Sequence, residues 1–371
     1  MNADVLHHRL AMMQQAMLRE GVDCFIAAPS VNMQYLTGFV EPAHERFMAL
    51  FVPAEGEPTL VVPALSAESA RQEAFGVGDI RVWEDHEGVE PVLREVAQEM
   101  DLATAIIAID EELPALFLLK LQQILPTALY RPGTEIWAAA RIRKDEDELW
   151  HMTQASRYAD NAFAAGLALC AAGNTEWEVA CAIEAEVEAQ GAEMAFGLPI
   201  VAAGKHSAQP HYRTTKTVLH PGDVVVIDYG ARLNGYNSDV TRTVCIGEAT
   251  PEIQKIYKIV YDAHYAARAA VKPGVTAESV DAAARTVIEK AGYGEFFVHR
   301  TGHGIGLSVH EPPYIVKGNK QILEEGMCFS IEPGIYLPGR FGVRIENVVV
   351  VTADGCQSLN SEPTPHIREI G

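Results

Sequence analysis

The chain has 371 residues, of which 48% are hydrophobic, enough apolar material for the cores of about two domains. Its 29 lysines and arginines against 50 aspartates and glutamates give a formal net charge of −21 at pH 7. This acidic balance, with no basic run in the sequence, disfavours a nucleic-acid backbone or an anionic membrane surface as a partner.

The six cysteines are scattered and form no CxxC pair, which is typical of buried thiols in a reducing compartment. The N-terminal residues, MNADVLHHRLAMMQQAML, lack the apolar region of a signal peptide. Apolar residues recur there at helical spacing instead: Leu6, Leu10, Met13 and Met17. Because no apolar stretch approaches the roughly 18 to 20 residues of a membrane span, we expect a soluble, cytoplasmic protein.

Residues 1–134 predict an α/β domain whose sheet is flanked by helices. Short apolar runs predict the strands: DCFIAAPS, RFMALFVP, TLVVPA, IRVWED and AIIAIDE. Helical patterns lie between or beside them in EPVLREVAQEM and LPALFLLKLQQIL. This segment has no phosphate loop and no group of metal-ligating residues, so we expect it to support or shape a site elsewhere.

The join between two domains is predicted between residues 134 and 135. Pro132 and Gly133 interrupt the pattern, and the charged run RKDEDELW begins a long helix. Residues 135–371 then predict an α+β domain, in which hairpin strands alternate with helices near 145–172, 175–191, 251–271 and 276–291.

The stretch DVVVIDYGARLNGYNSDVTRT predicts a hairpin with two carboxylates on one face. Its two-residue Asn-Gly turn places Asp228 opposite Thr241, and Asp239 becomes the diagonal neighbour of Asp228, roughly 7–8 Å away. One aspartate alone would be interpreted as a strand-end acid. Two acids on one face of an apolar hairpin indicate a bound cation, because unpaired buried charges are costly.

The stretch MCFSIEPGIYLPGRFGVRIENVVVV predicts a second hairpin, with Glu332 and Glu346 on its two strands. An odd loop centred near Gly339 places these glutamates opposite each other, whereas an even loop without a bulge places them on opposite faces. Between the two acid pairs lies HRTGHGIGLSVHEPP, whose glycines predict backbone packed closely against a neighbour. A lone histidine here would be interpreted as structural, but beside four carboxylates His303 is a candidate nitrogen ligand.

Four carboxylates and one imidazole suit two divalent ions about 3.5–4 Å apart, bridged by carboxylate and hydroxide. The oxygen-rich set favours manganese over an ion that selects thiolates, with cobalt and zinc as alternatives. The sequence therefore predicts a dinuclear metal centre.

These residues resemble the pita-bread metallopeptidases, a family that includes prolidases (Xaa-Pro dipeptidases), aminopeptidase P and methionine aminopeptidases. The resemblance is closest to short bacterial prolidases. It implies a creatinase-like α/β N-terminal domain followed by an α+β pita-bread catalytic domain. The family's five metal ligands match this sequence in order, spacing and flanking residues: Asp228 in IDYGA, Asp239 in NSDVTRT, His303 in GHGIG, Glu332 in IEPGIY and Glu346 in VRIEN.

Three further positions carry over from the family. His211 in SAQPHYR resembles the histidine near the scissile bond, His310 in SVHE the second histidine on the substrate side, and Arg344 in GVRIE the arginine beside the last ligand. Prolidases often read Gly-Pro-Asn-Ser before the Pro-His segment. This chain reads GKHSAQPHY instead, so Lys205, His206 and Tyr212 leave the shape of the substrate pocket open.

The resemblance implies hydrolysis of the peptide bond before proline by a hydroxide that bridges two metal ions. Glu332 would shuttle a proton from water to the leaving nitrogen, and His211 or His310 would stabilise the tetrahedral intermediate. The family also implies a homodimer that acts on small peptides with proline at the second position.

The favoured interpretation is a prolidase acting on dipeptides, and the alternative is aminopeptidase P acting on longer peptides. Methionine aminopeptidases lack a large N-terminal domain, and creatinase has lost most of the metal ligands that this chain keeps. A non-catalytic binding protein of the same fold is a remote alternative, because such proteins have lost metal ligands. The family motifs also disfavour a dinuclear phosphoesterase.

A dipeptidase must recognise a free C-terminal carboxylate, and the bidentate fork of an arginine suits that task. The HER stretch resembles short bacterial prolidases, a family in which the N-terminal domain of one subunit often reaches its partner's active site. We hypothesise that Arg46 binds the substrate carboxylate; the alternative is a surface arginine paired with Glu45 or Glu41. Some prolidases carry an arginine shortly after the VHE histidine, where this chain has Pro313-Tyr314.

Overall fold

The computed structural model describes residues 3–42 and 44–371, which divide into two compact units, Met1–Arg141 and Ile142–Gly371. The boundary predicted between 134 and 135 falls at the start of the helix Thr134–Arg141, which belongs to the first unit. Within the described ranges, no helix is both long enough and apolar enough to cross a bilayer.

The first unit is built around one mixed sheet. Its α-helices and strands in the described residues are α1 (Ala3–Glu20), β1 (Cys24–Ala27), α2 (Val31–Thr37), β2 (Ala49–Pro53), β3 (Thr59–Pro63), α3 (Ala67–Glu73), β4 (Asp79–Trp83), α4 (Glu90–Glu99), β5 (Ile106–Ile109), α5 (Ala115–Ile124), β6 (Leu129–Pro132) and α6 (Thr134–Arg141).

The strand order of this sheet is β4-β3-β2-β1-β5-β6, with β1 parallel to β5 and antiparallel to β2. Each apolar run that the sequence predicts as a strand forms one. Strand β6 was not predicted, because its short sequence LYRP is mostly exposed or half-buried at the sheet edge and carries no apolar run. The predicted α/β architecture is confirmed.

The second unit combines helices with a larger sheet. Its α-helices and strands are α7 (Glu146–Leu169), α8 (Glu176–Ala189), β7 (Glu193–Met194), β8 (Ile200–Ala203), β9 (Val224–Tyr229), β10 (Ala231–Leu233), β11 (Tyr236–Asn237), β12 (Val240–Ile246), α9 (Pro251–Ala270), α10 (Ala277–Lys290), β13 (Gly302–Gly304), β14 (Glu311–Ile315), β15 (Cys328–Ile331), β16 (Gly334–Leu337), β17 (Phe341–Arg344), β18 (Glu346–Val351), β19 (Cys356–Ser358) and β20 (Arg368–Ile370).

The main sheet of the second unit has the order β14-β13-β15-β18-β12-β9-β8, with β19 beside β18 and β20 beside β12. Helices α7 and α8 each begin with a capping box, formed by Asp145 with Glu148 and by Thr175 with Glu178. In each box the side chains satisfy backbone N–H groups that the first helical turn leaves unpaired, so the charged runs in the sequence define where the helices start.

Two helix pairs cover the strands of the second unit. Helices α7 and α8 share a core with β9 and β12 that includes Ile183 and Ile227. Helices α9 and α10 share another core with β15 and β18 that includes Val260 and Val349. The α+β architecture predicted from the sequence is confirmed.

The predicted register of the first hairpin is confirmed, and the structure decides the second, which the sequence left open between an odd and an even loop. Asp228 on β9 pairs with Thr241 on β12, as the Asn-Gly turn requires. In the second hairpin Leu337 pairs with Phe341, so the loop is odd and centred on Gly339. The same register continues on the far side, where Ile331 pairs with Asn347, and Glu332 and Glu346 therefore occupy facing positions.

Candidate metal centre

Successive side chains of a strand point to opposite faces of the sheet, and on β9 and β18 this places one carboxylate each on the face away from the covering helices. The neighbours of Asp228 on β9, Ile227 and Tyr229, belong to the core formed with α7 and α8. Asp228 must therefore point to the opposite face of the strand. On β18, alternate valines belong to the core formed with α9 and α10, and Glu346 has the other parity. Thr241 pairs with both Asp228 and Glu346, which aligns the two acids across three adjacent strands.

His303 lies at the centre of β13 between two glycines that have no room for a side chain. A Cβ on Gly302 would lie 1.8 Å from the Ser330 carbonyl oxygen, and one on Gly304 would lie 2.2 Å from that of Pro312. The close backbone packing predicted from the GHGIG motif is confirmed. The Nδ1 atom of His303 is 3.1 Å from the Gly304 carbonyl oxygen, so Nδ1–H is assigned as the donor and Nε2 is left as the ligand atom.

The ligand atoms of Asp239, His303 and Glu346 all lie within 4.8 Å of one another. His303 Nε2 is 3.7 Å from Asp239 Oδ2 and 3.5 Å from Glu332 Oε1, longer than hydrogen bonds. The buried Oδ1 atom of Asp239 has no hydrogen-bond partner among the described residues. An unpaired buried carboxylate oxygen beside a neutral imidazole fits a bound cation.

Three carboxyl groups of this site have raised pKa values, which indicates that too little positive charge lies near them to stabilise their ionised forms. Burial raises the pKa of Asp239 well above its ordinary value, and the charges of Glu346 and Asp228 add to the effect. Burial and the charge of Glu332 raise the pKa of Glu346 in the same way. Burial also raises the pKa of Glu332 from 4.5 to about 7, although the Arg344 charge opposes the rise. Divalent cations at this position would stabilise the ionised carboxylates.

Arg344 connects the acids on either side of β12. Its Nη2 donates to Asp228 Oδ2 at 2.5 Å, its Nη1 donates to the Tyr336 hydroxyl at 2.9 Å, and its Nε donates to Thr241 Oγ1 at 3.1 Å. The Thr241 hydroxyl in turn donates to Glu346 Oε2 at 2.6 Å. These hydrogen bonds fix the orientation of both carboxylates without occupying all of their oxygens.

The acids line a cavity of about 520 Å³, a size ordinary for a small-molecule site. The described residues around it include every site residue that the sequence predicts in this unit: His211, Asp228, Asp239, His303, His310, Glu332, Arg344 and Glu346. The ring of His310 meets the ring of His303 edge-on, with centroids 4.2 Å apart. Burial lowers the pKa of His310, and the Arg300 charge adds to that effect. Burial and the His310 charge lower the pKa of His303 to about 3, so His303 is the neutral form that metals bind.

Several contributors to the cavity were missed from the sequence. Arg300 and His299 line it, and His299 Nε2 is 2.8 Å from the Tyr336 hydroxyl. The predicted register already places Thr241 opposite Asp228, but its hydrogen bonds with Glu346 and Arg344 were not predicted. Arg300 carried no comparable signal, because its position depends on contacts outside its own segment.

Arg46 lies in the first unit, where it is already paired. Its Nε and Nη2 atoms donate to the Asp85 carboxylate at 2.9 and 2.8 Å, and its Nη1 atom donates to Glu45 at 2.5 Å. These contacts include the pairing with Glu45 that the sequence offers as the alternative. The predicted role of Arg46 at the substrate carboxylate stays a prediction.

Four carboxylates and a histidine, lying on the strands of the second unit or directly at their ends, are gathered between two helix-covered layers. This arrangement defines the class: it is the pita-bread architecture of metallopeptidases. Residues 151–353 match the model of metallopeptidase family M24, and residues 9–143 match that of the Creatinase/Prolidase N-terminal domain. The chain therefore belongs to metallopeptidase family M24, which confirms the family predicted from its motifs.

Several known proteins and one solved structure are similar to this chain over almost its whole length. "Probable dipeptidase PepE" of Mycobacterium tuberculosis is 40% identical over 98% of this chain and 96% of the relative. The "Xaa-Pro dipeptidase" of Lactobacillus helveticus is 38% identical over 94% of this chain and 96% of the relative. The crystal structure of dipeptidase PepE from Mycobacterium ulcerans is similar, with a TM-score of 0.93 and 40% identity over 100% of this chain and 99% of that one.

Proposed function

We propose that this chain is a metal-dependent Xaa-Pro dipeptidase, which hydrolyses the peptide bond before the proline of a dipeptide. The observation that supports this most is the set of eight family site residues around one cavity. Relatives named as dipeptidases match over nearly the full length, the N-terminal unit included. That unit distinguishes the prolidase and aminopeptidase P branches from shorter members of the family.

We assign Asp228, Asp239, His303, Glu332 and Glu346 as the ligands of two divalent ions. The unpaired Asp239 oxygen and the raised carboxyl pKa values support this assignment. The oxygen-rich set favours Mn²⁺, with Co²⁺ and Zn²⁺ as alternatives. When bound, the ions supply Lewis-acid activation of water and of the scissile carbonyl.

The chain's own side chains supply positioning and proton transfer. Glu332 is assigned as the base that takes a proton from water and delivers it to the leaving proline nitrogen. His211 and His310 line the cavity without being metal ligands and are assigned to hydrogen-bond the oxyanion of the tetrahedral intermediate. Arg344 orients Asp228 through their hydrogen bond at 2.5 Å.

The surroundings of the enzyme are also part of the proposal. Six free cysteines are consistent with a reducing compartment, and we infer a cytoplasmic location. We further propose a homodimer, as the family resemblance implies. Sedimentation analysis of the purified protein measures that state directly, and a monomer at working concentration would contradict it.

A paired hydrolysis assay tests the function. Manganese-loaded protein is given Met-Pro or the tripeptide Arg-Pro-Pro, each with and without a chelator, beside an Asp239→Asn variant. We expect cleavage of the dipeptide alone, and the chelator should abolish it. In the Asp239→Asn variant the activity should fall at least about 100-fold, because losing a metal ligand should cost more than losing a residue that only hydrogen-bonds to a ligand. Preferred cleavage of the tripeptide would move the assignment to aminopeptidase P. Metal bound without cleavage of either peptide would contradict both.

A further inference from the structure

A dipeptidase needs a positive group for the carboxylate of its substrate, and that group must not already be neutralised. A carboxylate that enters a cavity loses water, and an arginine that already binds an acid gives little compensation. The arginines of this chain can therefore be compared by their existing partners.

Two candidate arginines are already engaged. The Arg344 guanidinium donates to Asp228, Thr241 and Tyr336, so its role is to orient the metal centre. Arg46 is held by Asp85 and Glu45 within the first unit.

Arg300 differs from both. It lines the same cavity as His310 and Glu332, and no carboxylate among the described residues forms an ion pair with it. Its guanidinium carbon lies 4.5 Å from the centre of the Tyr314 ring, the position of a cation–π contact. Tyr314 pairs with His303 between strands β14 and β13, so the stacking platform is fixed to the metal centre.

Arg300 lines the cavity together with His303, His310 and Glu332, so its charge lies on the wall that a substrate would meet. An arginine stacked on an aromatic face keeps the edge of its planar fork free, and that edge is the part that binds a carboxylate with two hydrogen bonds.

We propose that Arg300, held on the face of Tyr314, binds the C-terminal carboxylate of the substrate proline and restricts the enzyme to dipeptides. This inference rests on the proposed Xaa-Pro dipeptidase function and adds the residue that determines its substrate length. Extending the substrate beyond proline converts the carboxylate into an amide, which removes the charge that Arg300 binds.

The test compares Ala-Pro with Ala-Pro amide, which differ only in the carboxylate. Wild type, Arg300→Met and Arg300→Lys are assayed with manganese, and Arg340→Met, which removes an exposed arginine paired with Glu252, is the matched control. In Arg300→Met we expect the ratio of kcat/KM for Ala-Pro over its amide to fall about 10- to 100-fold, mainly through KM, as expected for lost hydrogen bonds to a charged group. Arg300→Lys should recover part of the ratio, and Arg340→Met should keep it.

Inhibition by the product provides a second readout in the same variants. The inhibition constant of L-proline should rise about 10- to 100-fold in Arg300→Met, whereas that of prolinamide should stay within about 3-fold. Thermal melting and metal content establish that the variant is folded and loaded.

The outcomes separate the two proposals. Wild type that cleaves Ala-Pro, with an unchanged ratio in Arg300→Met, would overturn the role of Arg300 and leave the function standing. The same result with a collapsed ratio in Arg46→Met would transfer the role to Arg46. Wild type that cleaves neither peptide with metal bound would overturn the proposed function and this inference with it.

Discussion

Thr241 links the two sides of the metal centre through a single hydroxyl. Its Oγ1 donates to Glu346 at 2.6 Å and accepts from Arg344 Nε at 3.1 Å. Because the side chain is fully buried, water has no ready access to replace either hydrogen bond. Glu346 and Arg344 would both lose a fixed partner if this hydroxyl were absent.

We therefore predict that Thr241→Val, which keeps the shape and removes the hydroxyl, lowers metal affinity and kcat about 10- to 100-fold. Titration calorimetry with Mn²⁺ and the dipeptide assay measure the two effects. Thr241→Ser is the control and should keep most of both, because it retains the oxygen. Equal losses in Val and Ser variants would indicate that packing of the methyl group matters and the hydrogen bonds do not.

For individual residues, the sequence predicted position well where the turn of a hairpin alone determines which residues face each other. The Asn-Gly turn was sufficient to place Asp228 opposite Thr241, whereas the loop around Gly339 could be odd or even, and the sequence alone did not decide whether Glu332 faces Glu346. Arg300 could not be found in this way, because its environment depends on Tyr314 from a neighbouring strand.

Among the elements, the loop that carries His211 is anchored to the start of helix α8. Glu176, which is fully buried, accepts hydrogen bonds from the Ala203 N–H at 2.9 Å, from Tyr212 Oη at 2.9 Å and from Thr215 Oγ1 at 3.0 Å. His206 Nδ1 lies 3.0 Å from the same carboxylate and its ring stacks on Tyr212. The residues that depart from the family pattern thus hold the loop in place.

Replacing Glu176 by Gln turns one acceptor into a donor and leaves buried donors unpaired. We predict that the free energy of unfolding falls by roughly 2 to 4 kcal/mol. We also expect kcat to fall about 10- to 100-fold, because His211 is displaced. Urea denaturation and the dipeptide assay measure these effects, and Glu188→Gln, on an exposed position of the same helix, is the control. A stable variant with normal kcat would show that Glu176 does not position the loop.

A buried ion pair fixes the segment next to His310. Lys144 Nζ is 2.7 Å from Glu311 Oε1, with both side chains at most 2% exposed. Lys144 precedes helix α7, whereas Glu311 begins β14, so the pair joins elements that are distant in the chain.

Removing one partner leaves a buried charge, so we predict that Lys144→Met lowers the free energy of unfolding by about 3 to 5 kcal/mol. The double variant Lys144→Met with Glu311→Gln should regain at least half of that loss, because both charges are gone. Chemical denaturation of the two single variants and the double variant measures the coupling. Simple additivity of the single losses would contradict the proposed interaction between the two groups.

The fold as a whole places four carboxylates where water is scarce, and the metal-free protein should show the consequence. Asp239, Glu346 and Glu332 have raised pKa values, that of Glu332 at about 7. At pH 7 and above the histidines are mostly neutral in the unfolded chain, and the lowered pKa values of His303 and His299, about 3 and about 4, keep them neutral in the folded one. The carboxyls with raised pKa values then dominate the difference in proton binding between the two states.

Each carboxyl with a raised pKa holds its proton in the folded state after the unfolded chain has released it. The folded state therefore binds more protons, and stability falls as pH rises through the folded pKa. From pH 7 to 8 we predict that the free energy of unfolding of the metal-free protein falls by about 1 kcal/mol or more per pH unit. Saturating Mn²⁺ should make the curve nearly flat, because cations stabilise the ionised acids. Urea denaturation across this range measures both curves, with metal-free Asp239→Asn expected to have the shallower slope. A metal-free protein whose stability is constant or rises from pH 7 to 8 would contradict this account of how its carboxylates are held.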